Sequence, residues 1–453
     1  MVNIWKQEDV QWRVALCTGG EELTLRMGDG PRELTAELGE AEKLTAEAVR
    51  RCAAKAVKTV RDLGGESALL DAAAAVEALG AQGLSALAQG AELALYRRET
   101  WKERKDKPFT LYVTGTGEAD APALLAEAAV LVRAICFARD LTNRPANKLT
   151  PVLMADAMAE AARKAGVEVQ VLDEKETRAL GMEAFHAVGD SSANPPRLIV
   201  LRYRGGAPED APIALVGKGV CFDSGGYCLK PGKGMPGMTG DMAGGAAVCG
   251  AVLALAENRA PVNVTAVIPA VENRISNDSF LPSYVIGSLS GRTIEVGNTD
   301  AEGRLILADA ITYAIRKENA CKVVDIATLT GSMAAMLGGV ATGVMANDDG
   351  FYAQLEEASR RSGERFWRVP DFPEYKKLIE TPVADLCNTS DGCGAIAAGF
   401  FLRAFAEDTP WLHLDIAGTG WVWTSPKEYQ IKGATGVGVT TLYELCKSAG
   451  GTR

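Results

Sequence analysis

Between Thr150 and Ala327 the chain alternates two kinds of hydrophobic pattern. Short runs rich in branched apolar residues, at 168–172, 198–203, 213–216, 262–268, 293–296 and 322–327, have the length and composition of buried strands. Between them, residues 151–165, 243–257 and 304–317 repeat apolar positions at helical spacing. This alternation predicts a mostly parallel sheet covered by helices on both faces. Residues 41–63 and 67–96 are also helical in period, with strand candidates at 13–17 and 109–113, which predicts a separate α/β domain. A long helical pattern at 121–141 ends at Asn143-Arg144-Pro145, where Pro and Asn are turn chemistry, and Thr150-Pro151 opens the next helix. The expected architecture is α/β in two domains. A smaller N-terminal domain, residues 1–145, ends in a connecting helix, and a larger C-terminal domain, residues 146–453, carries the mostly parallel central sheet flanked by helices.

A length of 453 residues suits two domains better than one core. The balance of 48 basic and 58 acidic residues gives a net charge of −10, which argues against general binding to nucleic acid or anionic membranes. The first nine residues lack a basic segment followed by an apolar core, so no secretory signal is visible. The apolar runs 243–256 and 331–346 are glycine-rich and short of the ~18–20 residues that span a bilayer. Ten scattered cysteines with no Cys-x-x-Cys pair read as reduced thiols in a cytoplasmic protein. The two histidines, His186 and His413, cannot furnish a histidine-rich zinc site, and both read as core residues.

Ligands of open α/β sheets bind beyond the carboxyl ends of the strands, and two polar stretches fall there. Gly297-Asn298-Thr299-Asp300-Ala301-Glu302-Gly303-Arg304-Leu305 sets an aspartate, a glutamate and an arginine at alternate positions between a strand and a helix. Residues 216–242 place Lys218, Asp223, Lys230 and Asp241 among glycines that let the backbone approach a ligand, at a spacing unlike a Walker loop. Carboxylates gathered at strand ends repel unless cations balance them. Oxygen ligands with almost no histidine favour Mg²⁺, Mn²⁺ or Zn²⁺. Two such ions about 3.5–4 Å apart can activate a water and polarise a carbonyl or phosphoryl group. The residues alone leave two readings open, a two-metal hydrolase or loop carboxylates in ordinary salt bridges.

The run 298–305 resembles the signature of the leucyl aminopeptidase family (peptidase family M17), the two-metal cytosolic aminopeptidases. Val216-Gly217-Lys218-Gly219 with Phe222-Asp223-Ser224-Gly225-Gly226 is similar to that family's metal loop, and further likeness runs through 143–151, 192–198, 327–331 and 413–419. The resemblance covers residues 140–445 and is only general before them. It implies one tightly bound ion on Lys218, Asp223, Asp241 and Glu302, and an exchangeable one on Asp223, Asp300 and Glu302, the metals being Mn²⁺, Zn²⁺ or Mg²⁺. It implies that Lys230 stabilises the oxyanion, that Arg304 holds a bicarbonate or water relaying the proton, and that one metal takes the substrate's free amine. A pocket for leucine-like or methionine-like side chains would draw on Met238, Thr328, Leu329, Gly331 and Ala434. Peptides would be the substrates, and the family association implies a cytoplasmic homohexamer.

The sequence departs from the family's usual pattern at Thr239, often a lysine, at Cys221, usually a threonine, and at 280–285 in place of a commoner Pro-Gly-Asp turn. None of these removes an expected ligand. The rival readings are a two-metal phosphohydrolase, and a non-enzymatic DNA-binding or scaffold relative, against which the net charge and the full set of polar site residues both argue.

Overall fold

The computed structural model describes residues 2–4, 10–28, 32–103, 107–117 and 120–450. Of the stretch read for an export signal, Met1 and residues 5–9 lie outside the described residues. The chain forms two compact units, one of Met1–Cys136 with Arg361–Gly363 and Val422–Lys432, the other of Phe137–Arg360, Glu364–Trp421 and Gly433–Arg453.

The first unit holds a six-stranded sheet of β1 (Val2–Ile4), β2 (Trp12–Cys17), β3 (Leu25–Met27), β4 (Glu33–Glu37), β5 (Ser67–Asp71) and β6 (Thr110–Thr114), in the order β1-β6-β5-β2-β4-β3. Only the β3–β4 pair is antiparallel. The helix Ala46–Asp62 is capped by Thr45, whose Oγ1 accepts from Ala48 N at 3.2 Å. The single helix expected over 67–96 does not form. Its first residues are strand β5, buried between β2 and β6, and the rest divides into Ala73–Leu79 and Ala81–Leu93 at Gly80, whose φ of +55° no continuing helix allows. Periodicity misled because β5, covered on both faces, has no polar side to alternate with.

The second unit is built on β7 (Glu168–Leu172), β8 (Arg197–Arg204), β9 (Ile213–Gly217), β10 (Gly219–Asp223), β11 (Asn263–Asn273), β12 (Val285–Ile286), β13 (Ile294–Glu295), β14 (Lys322–Ala327), β15 (Thr342–Ala346), β16 (Phe366–Arg368), β17 (Leu386–Cys387) and β18 (Trp411–Asp415). Its large sheet runs β16-β15-β18-β14-β9-β11-β8-β7, with β10 added to β11. The central pairs β18–β14, β14–β9 and β9–β11 are parallel, while β15–β18, β11–β8 and β8–β7 are antiparallel. A doubly covered parallel centre explains why its strands read as unbroken apolar runs. Both histidines are buried and partnered: His186 Nε2 meets Thr177 Oγ1 at 2.9 Å, and His413 Nδ1 meets Asp325 Oδ1 at 2.6 Å. The helix Ala121–Asn143 is long and apolar enough to cross a membrane by length and composition, and half of its most apolar stretch is buried within the structure.

Asp309, on the helix Glu302–Arg316, fastens two neighbouring segments: its Oδ2 accepts from Phe185 N at 2.9 Å and its Oδ1 from Leu289 N at 2.7 Å. Burial pushes its carboxyl up to about 7 despite those amides. A raised acid favours the protonated folded state. Its contribution to stability is therefore complete below the unfolded value of about 4 and is lost as pH rises to about 7. In Asp309→Asn, the urea-unfolding free energy should lose a downward slope of up to ~1.4 kcal/mol per pH unit across that window. Identical slopes in the two proteins would refute the assignment.

Candidate metal centre

The polar residues singled out above sit where the central strands end. Lys218 follows β9 and is fixed by its backbone, donating from N to Ile326 O (3.0 Å) and accepting at O from Gly245 N (2.8 Å). Asp223 is the last residue of β10, a strand within a stretch read as loop, which pairs with β11. Asp241 follows the 3-10 turn Met238–Gly240 and precedes the helix Ala243–Glu257. Asp300 lies in the loop after β13. The helix expected to start at Arg304 starts at Glu302, so Glu302 and Arg304 share its first turn, where an acidic side chain suits the helix dipole.

Lys218 Nζ lies 2.8 Å from Asp241 Oδ2 and 2.8 Å from Glu302 Oε1, and donates to Thr328 O at 3.1 Å. Lys230 Nζ lies 2.8 Å from Asp223 Oδ2 and 2.5 Å from Asp300 Oδ1. One ligand oxygen each from Asp223, Asp300 and Glu302 fall within 4.8 Å of one another. Lys218, Asp223, Asp241, Glu302 and Arg304 are all buried, whereas Lys230 and Asp300 are partly exposed. Thr328 Oγ1 donates to Asp241 Oδ1 at 2.7 Å, and Leu329 leans over Gly303. Met238 is half-buried beside Asp241, and Gly331 is exposed at the start of the helix Gly331–Leu337. Ala434 is buried, its amide nitrogen donating to Asn143 Oδ1 at 3.0 Å.

Charge in this cluster is unbalanced. Burial, with Asp223 alongside, pushes Glu302 up to about 8. Burial raises Asp241 to about 6 despite Lys218, and burial together with Asp223 raises Asp300. Burial works against charge on Lys218 and Lys230, but the facing carboxylates outweigh it and raise both ammonium groups. Burial lowers Arg304 to about 10. Glu302 Oε2 has no hydrogen-bond partner, and Asp241 Oδ2 and Asp300 Oδ1 are met only by the Lys218 and Lys230 ammonium groups. A buried carboxylate oxygen without a donor, beside others met only by lysine ammonium groups in a site short of positive charge, makes a donor set that a divalent cation satisfies. The residues fit a metal.

Several residues that the sequence reading passed over hold this arrangement. Asp415 accepts from Leu329 N (3.2 Å), Thr330 Oγ1 (2.6 Å) and Ala417 N (3.0 Å), shaping the turn that carries Thr328. Asn388 accepts from Gly297 N (2.8 Å) and Asn298 N (3.1 Å) and donates to Asn298 O (2.7 Å). Asn273, at the end of β11, donates to Asp223 Oδ1 at 2.9 Å. Their one sequence signal is a polar residue at the end of an apolar strand or just beyond it, which is too common to single out. Of the departures, Cys221 is buried against Met154 Sδ at 3.6 Å, and burial pushes its thiol well above the usual range, so it packs rather than reacts.

Residues 136–443 match the catalytic domain of the cytosol aminopeptidase family, and residues 31–105 match its N-terminal domain. The chain belongs to the cytosol aminopeptidase family. A probable cytosol aminopeptidase of Clostridium perfringens is 43% identical over 90% of this chain and 84% of its own. One from Geobacter sulfurreducens is 42% identical over 91% and 84%. The solved structure of the bottromycin maturation enzyme BotP in complex with Mn superposes with a TM-score of 0.89 at 33% identity, over 98% of this chain and 100% of that one. Membership makes this chain an aminopeptidase-type hydrolase of the M17 leucyl aminopeptidase family, dependent on divalent metal and acting on peptides.

Within the family motif, Gly303 has a steric task. A Cβ there would lie 2.6 Å from Lys218 Cε and 2.7 Å from its Nζ. Gly303→Ala should keep the fold, by circular dichroism, while displacing the Lys218 side chain and lowering kcat/KM at saturating metal by about 10²-fold. Wild-type turnover in that variant would show that Lys218 does not need this passage.

Proposed function

We propose that the chain removes N-terminal residues from peptides, with a preference for leucine-like side chains, through a two-metal site. The observation that carries this reading is the cluster of Asp223, Asp241, Asp300 and Glu302, threaded by Lys218 and Lys230 yet leaving Glu302 Oε2 without a hydrogen-bond partner. In this reading Lys218, Asp223, Asp241 and Glu302 hold the tightly bound ion, and Asp223, Asp300 and Glu302 the exchangeable one. Mn²⁺ or Zn²⁺ are the candidates, with Mg²⁺ a third, and the Mn in the BotP structure supports manganese. Lys218 would ligate as a neutral amine, its proton released to solvent as the ion binds.

Bound divalent ions supply a Lewis acid for the scissile carbonyl and an acidified water as nucleophile. Lys230, partly exposed at the mouth of the cluster, turns its ammonium to the carbonyl oxygen as negative charge develops there. Arg304 is buried with no partner at Nε, and it holds a bicarbonate or water that passes the proton to the leaving amine. Met238, Thr328, Leu329, Gly331 and Ala434 form the wall for the substrate side chain. The N-terminal domain of residues 1–145 serves a catalytic domain of residues 146–453, in a cytoplasmic homohexamer.

The test is hydrolysis of a panel of aminoacyl amides by metal-stripped protein, before and after adding Mn²⁺, Zn²⁺ or Mg²⁺. Restored release of N-terminal leucine or methionine is expected; if no metal restores release of any N-terminal residue, the reading falls. Glu302→Gln should fold yet lose bound metal and at least about 10²-fold in kcat/KM, because two proposed sites share that carboxylate. Lys230→Ala should lower kcat by about 10²–10³-fold with little change in KM, as removal of an oxyanion donor does. A loss confined to KM would assign Lys230 to ground-state binding instead.

A further inference from the structure

The two halves of the centre arise from separate parts of the chain, Asp223 from the end of β10 and Asp300 from the loop after β13. Asn273 lies directly opposite Asp223 in the parallel β10–β11 register and is fully buried. Its single amide nitrogen donates to Asp223 Oδ1 at 2.9 Å and to Thr299 O at 3.0 Å. Its two N–H bonds therefore reach one oxygen in each half. The orientation is fixed by chemistry: turned over, the amide oxygen would face two acceptors. Thr299, also fully buried, continues the seam, since its hydroxyl donates to Gly225 O at 2.6 Å and accepts from Cys228 N at 2.8 Å. Asn388, by contrast, binds only the half that carries Asp300.

We propose that Asn273 and Thr299 are positioning residues, a hydrogen-bonded seam that sets the spacing between Asp223 and Asp300 and so tunes the exchangeable metal position. This rests on the two-metal reading above. Neither residue touches substrate or needs to ligate. Asn273 spends a donor on Asp223 Oδ1, which leaves Oδ2 of that carboxylate facing Lys230 and Asp300. Thr299 immediately precedes Asp300, so a shift of its carbonyl moves Asp300 with it.

The experiment titrates Mn²⁺ into metal-stripped full-length wild type, Asn273→Ala, Asn273→Asp and Thr299→Val, reading leucyl-amide hydrolysis, bound manganese and apo-protein melting. Thr299→Val keeps the side-chain volume and removes only the hydroxyl, so it carries the test if a change at Asn273 prevents folding. Each variant should need about 10- to 100-fold more Mn²⁺ for half-activation, with the KM of the amide at saturating Mn²⁺ unchanged. Asn273→Asp, which faces Asp223 with a second acceptor, should be the worst. Wild-type half-activation in the variants, or a lowered apo melting temperature as the sole change, overturns the inference. Absence of Mn²⁺-dependent hydrolysis in wild type would instead bring down the two-metal reading beneath it.

Discussion

Lys218 threaded between Asp241 and Glu302, past a glycine, is the contact on which the rest of this structure depends. Four carboxylates gathered beyond the ends of the central strands repel one another in a medium that screens poorly. Two lysines offset part of that repulsion, and Glu302 Oε2 is still left without a donor. A cluster so arranged is held together against its own electrostatics by its surroundings, which is the condition for binding cations strongly.

Those surroundings are mostly backbone. Lys218 is clamped at both N and O by the β14 strand and the start of the helix Ala243–Glu257, so its side chain can leave in one direction. Asp223 is set by the β10–β11 pairing, Glu302 by the first turn of its helix, and Asp241 by Thr328. The parallel centre of the sheet brings the ends of β9, β11 and β14 to one edge, and the antiparallel strands on either side complete a layer wide enough to bury it. Buried amides and hydroxyls at Asn273, Thr299 and Asn388, with the Asp415 carboxylate, then take up the polar groups of the irregular loops, which burial makes costly to leave unmet.

Membership in the cytosol aminopeptidase family accords with this division of labour. A strand end supplies Asp223, a helix start Glu302 and the loops between elements Asp241 and Asp300, so a rigid frame holds oxygens at fixed separations.

By itself the sequence determined the class of fold and the family. Strands 168–172 and 322–327 and the helix 243–257 were legible because their patterns extend over whole elements. Lys218, Asp223, Asp241, Asp300, Glu302 and Arg304 were legible because motifs concentrate chemistry locally. Residues 67–71 were misread, since a strand buried on both faces carries no alternation to distinguish it from an apolar helix. Asp223 was placed in a loop because a glycine-flanked five-residue strand is specified by its partner β11 rather than by its own residues. Tertiary structure alone decided how the two motifs face each other. The register of Asn273 against Asp223, the reach of its amide to Thr299 and the gap that Gly303 leaves for Lys218 join residues tens of positions apart, and no local pattern encodes a distance between segments that meet only when the sheet forms.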